Sequence, residues 1–108
     1  MSGYSYDLPE EIEVVEDGPI RVVRLNRPGE LNATNHALHE GLARLFPQLD
    51  ADPGARVAVL TGAGRAFSAG GDFAYIDELT RDAGKRRQSL DHGRQIMAAM
   101  IRWLRRDV

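Results

Sequence analysis

Gly70-Gly71-Asp72 closes a glycine-rich run over residues 61–72 and is the spacing in this sequence best suited to chemistry. Paired glycines carry no β-carbons, so a ligand can come close to the backbone. If a helix opens at Asp72, its free first-turn N–H groups and its dipole point back into the turn. Such a place suits an anion, or an oxygen that gains negative charge during a reaction. The same run also reads as a tight strand-to-helix connection in which the glycines serve sterics alone.

Other patterns compete with that one. Gly62-Ala63-Gly64 opens like a dinucleotide fingerprint, but Phe67 stands where the third glycine belongs. No Gly-Lys-Ser/Thr follows, which excludes a P-loop. Ala66-Phe67-Ser68-Ala69-Gly70 nearly matches a nucleophile elbow, with Ala66 in place of the first glycine; Ser68 then needs a histidine, and His92 is the only later one. His36, His39 and Glu40 share a helix face at metal-compatible spacing. They also read as solvated polar residues of an ordinary helix, and no metal is expected. Lys85-Arg86-Arg87 and Arg105-Arg106 read as solvent-facing helix charge, and Met97 and Met100 as core.

The elements that would hold the loop follow from periodicity and punctuation. Residues 1–10 read as a loose lead-in. Ile12, Val14 and Val15 begin a strand, Asp17-Gly18-Pro19 turns the chain, and Ile20–Asn26 is a second, β-branched strand, giving an antiparallel hairpin. Arg27–Ala33 has the punctuation of a loop. Thr34 or Asn35 can cap a helix whose Leu38, Leu42, Leu45 and Leu49 lie on one face. Pro47 removes a helical hydrogen bond and should kink or end that helix near Phe46. Val57–Leu60 reads as a strand buried on both faces, so strand, helix and strand suggest a crossover with parallel pairing. A short helix is expected from Asp72 to about Thr80, with an interruption at Asp82-Ala83-Gly84. A long helix then runs from Lys85, with Leu90, Gly93, Met97, Met100 or Ile101, and Leu104 on one face.

Composition sets the bounds. A chain of 108 residues with 43% hydrophobic and 28% charged residues suits one folded unit. The absence of cysteine excludes a disulfide scaffold, a thiolate metal site and a cysteine nucleophile. No apolar run is long enough to span a bilayer, and no secretory signal opens the sequence, so the expected compartment is the cytoplasm with no membrane partner. Six acids and no base fall in residues 1–17, leaving the rest of the chain at +4. That bias can favour an anionic ligand but is too weak to argue for nucleic acid.

Read in order, Leu25-Asn26-Arg27-Pro28, Leu31-Asn32-Ala33, a helix, an apolar strand with Thr61-Gly62, and Ala66–Asp72 resemble the enoyl-CoA hydratase/isomerase, or crotonase, family. The resemblance runs from about Ile20 to Leu79 and is specific to the superfamily rather than to one reaction. It implies an α/β fold, crotonase-like, built as a ClpP/crotonase-type spiral of ββα units. Residues 1–108 would form its N-terminal portion: the β-hairpin, a crossover helix, the buried strand and the long C-terminal helix.

The resemblance also implies an acyl-CoA thioester as substrate and no bound cofactor. Gly71 matches the residue whose backbone N–H is the first half of the family's oxyanion hole. Gly70 adjoins it, and Asp72, Phe73 and Ala74 match the segment lining the acyl-CoA site. Leu31, Asn32, Ala33 and Ala69 match segments that approach the nucleotide end of coenzyme A, largely through backbone groups. Tyr75, Asp77 and Glu78 lie near enough in sequence to line the acyl pocket, or form helix surface. The family's second oxyanion donor, its catalytic glutamates and its oligomer-forming helices match nothing before Val108. The expectation is therefore an incomplete chain, inactive alone, from a protein that hydrates a 2-enoyl-CoA, with a trimer or hexamer expected for a complete family member. The alternatives are a non-catalytic CoA-binding or interaction module and a nucleotide-binding α/β domain.

Overall fold

A computed structural model describes residues 4–104, with side chains through Ile101. Strands β1 (Ile12–Asp17) and β2 (Ile20–Leu25) pair antiparallel, with Ile12 opposite Leu25 and Asp17 opposite Ile20. Gly18, at φ +57°, makes the sharp reversal, as the Asp-Gly-Pro signal predicts. A single 3-10 turn at Pro28–Glu30 leads to helix α1 (His36–Ala51), capped by the Asn35 side chain, which accepts from the Leu38 N–H at 2.9 Å. Strand β3 (Val57–Gly62) then lies parallel to β2, giving a sheet ordered β1-β2-β3 among the described residues. Helices α2 (Phe73–Arg81) and α3 (Ala83–Leu104) follow, and α3 packs along α1.

The core lies between the sheet and α1. Val23 and Leu25 on β2 meet Ile12 of β1 and Leu38, Leu45, Phe46 and Leu49 of α1. The leucine stripe therefore faces inward as its spacing requires. Pro47 does not end α1, which continues to Ala51. Leu49 is fully buried beyond the proline, and the Gln48 amide donates to Arg44 O at 2.9 Å, holding the turn the proline weakens. Burial of a leucine is worth about 1.5–3 kcal/mol, comparable with the cost of an interior proline. Residues 4–10 have little regular structure but are not loose. Tyr6 and Leu8 pack on the core, and Asp7 is bonded to Gln48 through both its N–H and its carbonyl.

Two further expectations are corrected. β3 is not buried on both faces: Val57, Val59 and Leu60 are 40–50% exposed. An apolar run reports that a strand can be covered, and among the described residues only β2 flanks it. On α3, Leu90 (64% exposed), Met97 (59%) and Ile101 point outward, whereas Ile96, Ala99 and Met100 meet the core. One apolar stripe of α3 thus turns towards the core, and a second stripe of similar size is left outside. The side chain of Leu104, and Arg105-Arg106, lie outside the described residues. Lys85, Arg86 and Arg87 are exposed as expected.

Where α1, α2 and α3 meet, the His39 ring centroid sits 5.7 Å from that of His92 and 6.1 Å from that of Tyr75, and His36 lies 5.9 Å from His92. The Nδ1 atoms of His39 and His92 are buried without a hydrogen-bond partner. Burial, then the proximity of His92 and His36, pushes the His39 pKa below its ordinary 6.5. The unfolded chain therefore takes up that proton first. The stability it contributes is complete above pH 6.5 and is lost as pH falls from there towards the lower folded value. Thermal melts between about pH 7 and pH 5 should show a falling Tm, and His39→Phe should flatten that slope. An unchanged slope in the variant would place the effect elsewhere.

Candidate functional site

The loop between β2 and α1 and the loop between β3 and α2 are stitched together by one buried residue. Leu31 and Asn32 both adopt left-handed backbone conformations, at φ +52° and +55°. Asparagine is among the few non-glycine residues that visit this region readily; leucine is not. The turn puts the Asn32 side chain fully inside. Its Oδ1 accepts from the Arg27 N–H at 2.7 Å, and its Nδ2 donates to Ala63 O and Ala66 O, both at 2.8 Å. Gly62 must be glycine beside it, because a β-carbon there would sit 2.5 Å from Phe67 O and 2.7 Å from Asn32 Nδ2.

The second loop then runs alongside the first. The Ser68 hydroxyl donates to Asn32 O at 2.9 Å and accepts from the Gly70 N–H at 3.1 Å. The Ala69 N–H donates to Leu31 O, the Thr34 N–H to Gly70 O at 2.6 Å, and the Asp72 N–H to Thr34 O at 2.8 Å. Thr34 and Gly71 thereby form a parallel bridge. In such a bridge the bonds are made by the neighbours of Gly71, so its own N–H points away from Thr34. That N–H has no hydrogen-bond acceptor among the described residues.

A cleft of about 380 Å³ opens there, lined by Gly29, Glu30, Leu31, Ala33, Ala69, Gly71, Asp72 and Phe73. Phe73, 91% exposed, stands at its mouth. Gly70 holds the turn at φ +94°, and Ile76 packs its Cδ1 close over Gly71. The N–H groups of Leu31, Asn32 and Ala33 all donate within the chain, to Pro28 O, Arg27 O and Glu30 O. That wall can therefore offer a ligand only carbonyl acceptors.

The N-terminus of α2 is not an open anion hole. Asp72 caps it, its Oδ1 accepting from Ala74 N–H at 2.9 Å and Tyr75 N–H at 3.3 Å. These bonds, the Tyr75 N–H first, together with the Arg27 guanidinium, hold the Asp72 carboxyl below the usual carboxylate range. The chain's own carboxylate takes up two of the first-turn N–H groups, and the Gly71 N–H is among the peptide groups left for a ligand. Arg27 donates to Asp72 Oδ2 at 3.3 Å from both terminal nitrogens and makes a short bond to Ala33 O.

The competing patterns do not assemble. The Ser68 hydroxyl is taken up by Asn32 and Gly70, while His92 lies against His36 and His39. The dinucleotide fingerprint needs a helix opening directly after Gly64, but α2 begins only at Phe73. His36 pairs with Glu40 at 3.4 Å, and no group of three or more His, Asp or Glu residues could hold a metal among the described residues. Tyr75 is buried and bonded to Ser89 at 3.0 Å. Asp77 and Glu78 form exposed ion pairs with Arg81 and Lys85, so helix surface describes them. Sequence reasoning gives no place at the cleft to Arg27, Gly29, Glu30 or Ile76, and reads Thr34 only as a candidate helix cap, a part the Asn35 side chain takes. Only the loop pairing brings them together, although Arg27 sits inside the Leu25–Pro28 motif.

The family model described as enoyl-CoA hydratase/isomerase matches residues 16–101. A Thermus thermophilus protein named as an enoyl-CoA hydratase is 44% identical over 66 residues, which is 61% of this chain and 26% of the relative. Mevalonyl-coenzyme A hydratase from Beauveria bassiana is 55% identical over 54 residues, 50% of this chain and 19% of the relative. The crystal structure of an enoyl-CoA hydratase/isomerase from Mycobacterium paratuberculosis superposes with a TM-score of 0.85 at 56% identity, covering 88% of this chain and 38% of that one. The chain thus spans about a quarter or less of the length of these curated relatives. Its fold is crotonase-type, and the chain belongs to the enoyl-CoA hydratase/isomerase family.

Proposed function

We propose that the cleft between Leu31–Ala33 and Ala69–Phe73 receives an acyl-CoA thioester, with its carbonyl oxygen on the Gly71 N–H. In the whole protein that donor would stabilise an enolate, and the reaction would be hydration of a 2-enoyl-CoA without a bound cofactor. The observation that carries this reading is the unbonded Gly71 N–H facing a cleft with close backbone access. A thioester oxygen becomes more negative as the enolate forms, so a fixed dipole favours the transition state over the ground state. Assembly as a homo-oligomer and a cytoplasmic location belong to the same proposal.

Calorimetric titration of the chain with crotonyl-CoA, S-butyl-CoA and NAD tests it. Saturable binding that ranks crotonyl-CoA above the thioether, with no competition from NAD, is the expected result. NAD binding in preference to both CoA derivatives would overturn it in favour of a nucleotide-binding domain. Binding of both CoA derivatives with equal affinity would leave a CoA-binding module in which Gly71 does not face the carbonyl.

A further inference from the structure

We propose that Arg27 polarises and positions the Gly71 N–H through two intervening peptide groups, a role that rests on the acyl-CoA reading of the cleft. The Arg27 guanidinium donates to Ala33 O. That carbonyl belongs to the peptide unit whose N–H is that of Thr34. The Thr34 N–H donates to Gly70 O at 2.6 Å. That carbonyl in turn belongs to the peptide unit whose N–H is that of Gly71. Cation, peptide, peptide and ligand site thus lie in one series, every dipole pointing the same way.

A positive charge at the carbonyl end of a peptide unit draws electron density towards the oxygen and makes its N–H a stronger donor. Hydrogen bonds in series reinforce one another in this sense. The series also fixes direction, because a peptide unit is planar. Holding Gly70 O towards Thr34 forces the Gly71 N–H to the opposite side, into the cleft. Arg27 is well placed to act this way: its side chain is 17% exposed, so solvent screens its charge only partly. Its second partner, Asp72, anchors the guanidinium to the residue that follows Gly71 and keeps it from swinging into water. Arginine suits this better than lysine, since one planar fork reaches both the carboxylate and the carbonyl.

The test compares wild type with Arg27→Gln and Arg27→Lys. In the ligand-free chain the Gly71 amide proton should move upfield in Arg27→Gln, with Arg27→Lys in between. The preference for crotonyl-CoA over S-butyl-CoA should fall by about 1.5- to twofold in Arg27→Gln, a fraction of its full value, and be partly restored in Arg27→Lys. Affinity for the thioether, which offers no carbonyl oxygen, should change little. Thermal melts identify loss of fold, and Arg27→Lys keeps the charge should Arg27→Gln not fold. An unmoved Gly71 amide signal in a folded variant, or an unaltered thioester preference, would overturn the role of Arg27 alone. A wild-type chain that binds neither CoA derivative would instead remove the reading beneath it.

Discussion

Asp52→Ala is expected to cost about 3–5 kcal/mol of stability, the characteristic loss when one partner of a buried ion pair is removed. Asp52 is fully buried and Arg21 is 1% exposed. The Arg21 Nε donates to Asp52 Oδ2 at 2.8 Å, the Tyr6 hydroxyl donates to the same oxygen at 2.6 Å, and the Gly54 N–H donates to Oδ1 at 3.0 Å. Arg21 Nη1 finds Gly18 O at 2.7 Å. The cluster joins the lead-in, the hairpin, the C-terminal cap of α1 and the turn into β3. Without Asp52, a guanidinium stays inside the sheet–helix layer with carbonyls, a phenol and, 3.9 Å away, the partly exposed Glu16 carboxylate as its one remaining counter-charge among the described residues. Urea unfolding should show the loss as a lowered midpoint at nearly unchanged slope. The double variant Arg21→Met with Asp52→Leu removes both charges and should recover most of it, because a buried pair is worth little more than well-packed apolar groups of similar volume. A single-variant loss below about 1 kcal/mol would mean that the pair is hydrated and acts as a surface bridge.

The same cluster sets an acid limit. Burial pushes the Asp52 carboxyl up, but the hydrogen bonds from Arg21, Tyr6 and Gly54, with the Arg21 charge, outweigh it and hold the carboxyl below its ordinary 3.8. A depressed folded value means the contribution is present above pH 3.8 and is lost as pH falls through the folded value. Wild type should therefore lose stability steeply in that acid range, and the double variant should not lose this component.

The hairpin, the leucine face of α1 and the cap at Asn35 were legible because each depends on neighbours within a few residues. The order of the Asn-Arg-Pro, Leu-Asn-Ala and Gly-Gly-Asp segments pointed to the right family and to the loop beside the cleft. What stayed hidden depends on partners far apart in the chain. Arg21 alternates with Val23 and Leu25 on the buried face of β2, where a charge reads as an outward residue until Asp52, 31 positions later, is placed against it. Asp52 reads as punctuation after a helix. Asn32 reads as an ordinary loop residue until its left-handed backbone turns the amide inward. On α3, periodicity identified an apolar stripe but not which stripe docks, since the helix carries two of similar size and only the one with Ile96, Ala99 and Met100 meets the core.

Gly71→Pro is expected to abolish the preference for a thioester over its thioether analogue, because proline has no N–H. In the wild type that preference should be about three- to tenfold, the yield of one net hydrogen bond to a neutral carbonyl. Where turnover by a protein containing this segment is measured, the loss should be larger, about 10²–10³ in rate, because the oxygen is far more negative in the enolate than in the bound substrate. Proline also restricts the residue before it, and Gly70 sits at φ +94°, so a shape change alone could weaken binding. Gly71→Ala separates the two effects. It keeps the N–H, and its β-carbon would meet Ile76 Cδ1 at 2.9 Å, the movable end of a half-exposed side chain. Alanine should therefore lower affinity for both ligands alike while retaining the thioester preference. Equal loss of preference in both variants would assign the glycine to shape, and the oxyanion would then need a donor other than residue 71.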